Sequence, residues 1–185
     1  SSDDDVTRTA ALLSLRAVTD AAAPKLSADV YQDLTDKADP ELQLLFQCNA
    51  VEPLPQDVKE QVYDIATASE TSGRVRDAAV RAFAHPEDSG TLDRLASQLI
   101  ESTAEPSLAT NTAMAFGLGR CGAACESTLE RLAASSSAAE RGVAYRAIAF
   151  VPDLSLQAKF RTQLVAGGNA DELEKAVSNP FASIR

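Results

Sequence analysis

The chain has 185 residues, of which 45% are apolar and 5% aromatic, with no Trp, so its core is built from Ala, Leu and Val and suits closely approaching helices better than a sheet sandwich. Asp and Glu outnumber Lys and Arg 27 to 17, a net charge of −10 that works against the phosphate neutralisation nucleic-acid binding depends on. No apolar run reaches membrane-spanning length, so neither a nucleic acid nor a bilayer interior is an expected partner.

Taken in order, Ser1-Ser2-Asp3-Asp4-Asp5 is an acidic leader over residues 1–5. It lacks the basic start of a signal peptide and would fit a lipoprotein tether or a linker after export. A first helix is predicted from Val6 to Ala23, closed by Pro24, and a second carries Val30, Leu34 and Ala38 behind a Ser27 cap. Asp39-Pro40 opens a third from Glu41 to Ala50. After Pro53 and Pro55, the Val58, Val62, Ile65 and Ala66 stripe predicts a helix ending near Ser69, and the next runs from Gly73 to Ala84. His85 to Gly90 reads as a loop, followed by a helix opening at Thr91-Leu92-Asp93-Arg94-Leu95-Ala96. Pro106 to Gly119 and Thr128 to Ala133 follow, joined by Arg120-Cys121-Gly122-Ala123-Ala124-Cys125. A helix ended by Pro152, one from Leu154 to Val165, and a short last one from Asp171 to Val177 complete the chain. The eight prolines fall at junctions or helix starts.

The segments are related. Val75, Ala79, Ala82 and Phe83 form one helical stripe, and adding 33 reaches Leu108, Thr112, Ala115 and Phe116. A further 32 reaches Glu140, Ala144, Ala147 and Ile148, and subtracting 33 from the first set reaches Leu42, Phe46, Asn49 and Ala50. The other helix of the pair echoes separately, Thr91 to Ala96 returning 37 residues later as Thr128-Leu129-Glu130-Arg131-Leu132-Ala133. Both periodicities predict an all-α repeat protein of about five antiparallel hairpins and roughly eleven helices, with end helices acting as caps.

Val75-Arg76-Asp77-Ala78-Ala79-Val80-Arg81-Ala82-Phe83 resembles the second helix of HEAT repeats in the short bacterial form related to phycobilisome-lyase repeats. Glu140-Arg141-Gly142-Val143-Ala144-Tyr145-Arg146-Ala147-Ile148 keeps the arginine and both alanines, and the resemblance covers residues 40 to 150. It implies one right-handed, armadillo-like α-solenoid domain over 1–185, with 151–185 as a C-terminal capping hairpin. The implied function is non-catalytic: a scaffold whose second helices line a concave face that binds a protein or peptide segment, with no cofactor. Two rows flank the apolar stripe, Leu44, Asp77, Thr110 and Gly142, and Cys48, Arg81, Met114 and Arg146. Asp77, Arg81, Thr110, Met114 and Arg146 are the candidate binding residues. The alternative for these rows is packing between hairpins, which Cys48 and Met114 favour. The bilin lyases built from similar repeats imply a second function, a lyase or cofactor chaperone acting beside a partner protein, for which Phe116, Tyr145 and Arg146 are the available grouping.

Other chemistry is sparse. His85 is the only histidine, which excludes a multi-histidine metal site, and its place before Pro86 reads as a helix C-terminal residue favoured by the dipole. Ser135-Ser136-Ser137 lacks nucleophile-elbow glycines, no glycine-rich phosphate loop occurs, and no acidic pair stands out as acid and base. Cys121 and Cys125 fall where the HEAT pattern places two apolar residues against each other across the inter-repeat turn. That resemblance leaves a disulfide, two buried thiols, or a metal or redox site open. A disulfide would favour a periplasmic or exported protein over a cytoplasmic one, with the odd Cys48 counting mildly against it.

Overall fold

A computed structural model describes residues 56–71, 73–103, 107–166 and 170–178. The acidic leader, the first three expected helices, Leu44, Cys48 and the Leu42 to Ala50 copy lie outside them. Every regular element among the described residues is helical, so the all-α class holds there. By its internal contacts the chain divides into two compact units, Ser1–Ala82 and Phe83–Arg185, each described by itself.

The described part of the first unit is a helical pair, α1 (Gln56–Thr67) packed on α2 (Gly73–Arg81). It buries Val62 and Ala66 from α1, four residues apart on one face, and the consecutive Ala78, Ala79 and Val80 from α2. Arg76 reaches back from α2 and donates from a guanidinium nitrogen to the carbonyl of Ala68 at 2.7 Å, at the end of the preceding turn. The last carbonyls of a helix have no intrahelical donor, and a long cationic side chain supplies one.

The second unit contains α3 (Ser89–Ala96), α4 (Leu108–Cys121), α5 (Glu126–Ala133), α6 (Ala138–Ile148), α7 (Leu154–Ala166) and α8 (Ala170–Ser178). Side-chain caps set several starts. Ser107 Oγ accepts from Thr110 N at 3.1 Å, Ser137 Oγ from Glu140 N at 3.4 Å, and Asp153 Oδ1 from Ser155 N and Leu156 N at 2.7 and 2.9 Å. α4 extends past its expected end at Gly119 to Cys121, and Gly122, at φ 66°, ends it in a conformation that side chains with a Cβ rarely adopt. A 3₁₀ turn, Gly122–Cys125, then feeds directly into α5.

α4 lies along α6, and α6 also meets α5, α7 and α8, so α6 is the hub of the unit. Its residues from Gly142 to Ile148 are buried without interruption. The small side chains of Gly142, Ala144 and Ala147 allow this close approach from several sides.

His85 departs from its expected role. It ends no helix: its backbone is extended, at φ −135° and ψ 143°, and its Nδ1 accepts from Glu87 N at 3.3 Å, capping a 3₁₀ turn at Pro86–Asp88. The ring of Pro86 clashes with a helical residue before it, and that steric demand outweighs any dipole preference.

Candidate functional site

The expected binding face is the natural place to build a site, and the structure sorts its five residues. Met114 has no exposed surface, Arg146 retains 3% and Thr110 6%, so these three pack inside the protein, the alternative that Met114 favoured. They are internal to the packing of α4 and α6. Asp77 and Arg81, in the first unit, remain half-buried on α2. They stand four residues apart with the acid first, the favourable order on a helix. Burial lowers the pKa of the Arg81 guanidinium, and the charge of Asp77 opposes that shift. Burial alone lowers that of Arg146. Both remain cations at any physiological pH.

The grouping suggested for a cofactor chaperone is enclosed rather than open. Tyr145 is fully buried beside Arg146, and Phe116 is half-buried with its ring edge-on to Phe150, centroids 5.4 Å apart. The Tyr145 hydroxyl and Asn111 Oδ1 are buried without a hydrogen-bond partner among the described residues.

A polar ladder that the sequence reading did not single out joins α3, α5 and α7. Asp93 Oδ1 accepts from Thr128 Oγ1 at 2.8 Å and from an Arg131 guanidinium nitrogen at 2.7 Å. Asp93 is the third residue of the echoed phrase, Thr128 the first residue of its second copy and Arg131 the fourth. Arg131 also pairs with Glu101. One step along, Lys159 Nζ donates to Glu126 Oε1 and Oε2 at 2.7 and 2.9 Å, and Gln163 Nε2 donates to Glu126 and Glu130 at 3.0 and 3.3 Å. The Arg131 hydrogen bond, aided by that of Thr128, lowers the Asp93 pKa, and the Lys159 hydrogen bond does most to lower that of Glu126.

A second missed feature is an arginine clamp used twice. Arg141 stands at the register position of Arg76 and donates to the carbonyls of Ser135 and Ser136 at 2.9 and 2.8 Å, across the turn before its own helix. Its other nitrogens bind Glu172 of α8 at 3.1 and 3.2 Å, which raises the Arg141 pKa further. The available signal was the recurrence of arginine in the two best-matching copies.

Cys121 and Cys125 are joined as a disulfide, with Cα atoms 5.9 Å apart, within the span a disulfide bridges. Their residues are 2% and 1% exposed, so the bond faces the interior. Among the described residues no group of three or more His, Cys, Asp or Glu is placed to hold a metal ion, and no helix is long and apolar enough to cross a membrane. The arrangement therefore offers a helical surface with interlocked charges. Comparison with protein-family models, curated proteins and solved structures finds no match.

Proposed function

We propose that the chain is a non-catalytic interaction module, a HEAT-like right-handed α-solenoid that binds a protein or peptide segment. The observation that carries the reading is the pairing of Asp93 with Thr128 and Arg131. It links the two copies of the echoed phrase through their side chains, which supports reading them as successive repeats. The common position of Arg76 and Arg141 over the turn before each helix supports the same register. Stacked hairpins serve chiefly to present an extended surface, and their chemistry belongs to what docks on it.

In this reading Thr110, Met114 and Arg146 hold adjacent hairpins together, and the contact surface includes Asp77 and Arg81, the two candidates that keep solvent exposure. The partner is a protein segment, with no cofactor and no nucleic acid, and the acidity of the chain favours a basic one. Affinity capture quantified by mass spectrometry, with wild type beside an Asp77→Lys/Arg81→Glu variant shown by circular dichroism to be folded, tests it. A protein enriched by wild type and depleted about tenfold or more by the variant is expected. Identical capture by both, or none by either, contradicts the proposal.

A further inference from the structure

We propose that the Cys121–Cys125 disulfide is a redox-controlled lock on a hinge at residues 117–125, between α4 and α5. The inference is independent of any partner and rests on four features of this segment. Gly117, Gly119 and Gly122 fall within six residues, so the end of α4 has little intrinsic preference for helix. Gly122 adopts φ 66°, the point at which the chain changes direction. The disulfide ties the last residue of α4 to the last residue of the 3₁₀ turn, spanning the bend. The turn itself touches α3, α4, α5 and the Pro86–Asp88 turn, so its conformation is read by several neighbours.

Both half-cystines are interior, and only Ala123 and Ala124 between them are exposed. A reductant therefore reaches sulfur only when the turn opens. The reductant is an external dithiol. Its first thiolate attacks one sulfur and breaks the S–S bond, leaving a mixed disulfide and one protein thiolate. Its second thiolate displaces the other protein sulfur, so the dithiol ends as a cyclic disulfide and two electrons and two protons reside on Cys121 and Cys125. With the bond gone, the glycine-rich end of α4 loses the constraint that opposes bending. α1 and α2, which carry no part of the bond and belong to the other compact unit, keep their structure.

Hydrogen exchange measured by mass spectrometry on the full chain tests this, comparing oxidised protein, protein reduced with dithiothreitol, and the Cys121→Ala/Cys125→Ala variant. Intact mass confirms the gain of two hydrogens on reduction of this pair. Amides of residues 117–125 are expected to exchange about tenfold faster or more in the reduced protein and the variant, with those of α1 and α2 unchanged. Three free thiols in protein prepared under oxidising conditions overturn the proposal. So does unchanged protection at 117–125 on reduction, or equal loss of protection across all helices. If the variant fails to fold, the reduced wild-type chain decides the matter alone.

Discussion

Gly119 of α4 faces the carbonyl group of Ala147 of α6 so closely that no methyl group fits between them. A Cβ at Gly119 would stand 2.8 Å from Phe150 Cβ, 3.1 Å from the Ala147 carbonyl carbon, and nearer still to its oxygen. Backbone rather than a flexible side chain forms the obstacle, so α4 and α6 would have to separate. Gly119→Ala is accordingly expected to lower stability by about 1–3 kcal/mol in urea titration, the usual cost of overpacking. The control is Gly90→Ala in α3, where nothing lies within 4 Å of the added methyl group. It should stabilise by about 0.4–1 kcal/mol, because alanine restricts the unfolded chain. The opposite signs of the two substitutions test the packing of α4 on α6 apart from helix propensity.

Arg141 holds two turn carbonyls and Glu172 at once, with 20% of its side chain exposed. Arg141→Ala should cost about 2–3 kcal/mol, since it removes charged hydrogen bonds and leaves two carbonyls to find new donors. Lysine carries one ammonium in place of a planar fork and cannot serve both directions. Arg141→Lys is therefore expected to recover less than half of the loss, measured by the same titration.

The ladder predicts a modest dependence on acid and salt. Asp93 and Glu126 have carboxyl groups held below their ordinary pKa by Arg131 and Lys159. A carboxylate with a depressed folded pKa contributes its stability above the unfolded value, about 4, and loses it as pH falls through the folded value. The melting temperature should therefore be flat from pH 7 to about 5 and fall below about pH 4. Asp93→Asn/Glu126→Gln should show a smaller acid-induced fall. With the side chains of Asp93 and Arg131 53% and 39% exposed, a double-mutant cycle on the pair should give a coupling of about 0.2–1 kcal/mol that shrinks with salt.

Tyr145 supplies a test of the enclosed region. Its hydroxyl is buried without a hydrogen-bond partner among the described residues, so it costs desolvation without return. Tyr145→Phe is expected to leave stability unchanged or to raise it by up to about 1 kcal/mol. A loss above about 1 kcal/mol in thermal or urea unfolding would show that the hydroxyl does hold a partner.

Much of this architecture is legible in the sequence because helical periodicity is a local signal. Val62, Ala66, Ala79 and Phe83 are buried as their spacing requires. Burial of Thr110, Met114 and Arg146 is less legible, since it depends on how many neighbours surround a helix, and Ala- and Gly-rich helices admit neighbours on several sides. His85 shows two local rules in conflict, with the steric constraint before Pro86 prevailing over the dipole. The ladder is half legible: the phrase containing Asp93 repeats as the phrase containing Arg131, but periodicity does not say which side chains face each other across the repeat.

The claim on which the account turns is that α4 and α6 pack directly against one another, as successive second helices of a stack would. NMR of the assigned protein tests it at one contact. The Gly119 hydrogen that takes the place of a side chain points at the Ala147 carbonyl and lies beside Phe150 Cβ. A strong cross-relaxation peak between Gly119 Hα and Phe150 Hβ is predicted. Its absence, with both residues assigned and Gly119 Hα showing contacts only to other helices or to water, would contradict the packing and the proposed stack with it.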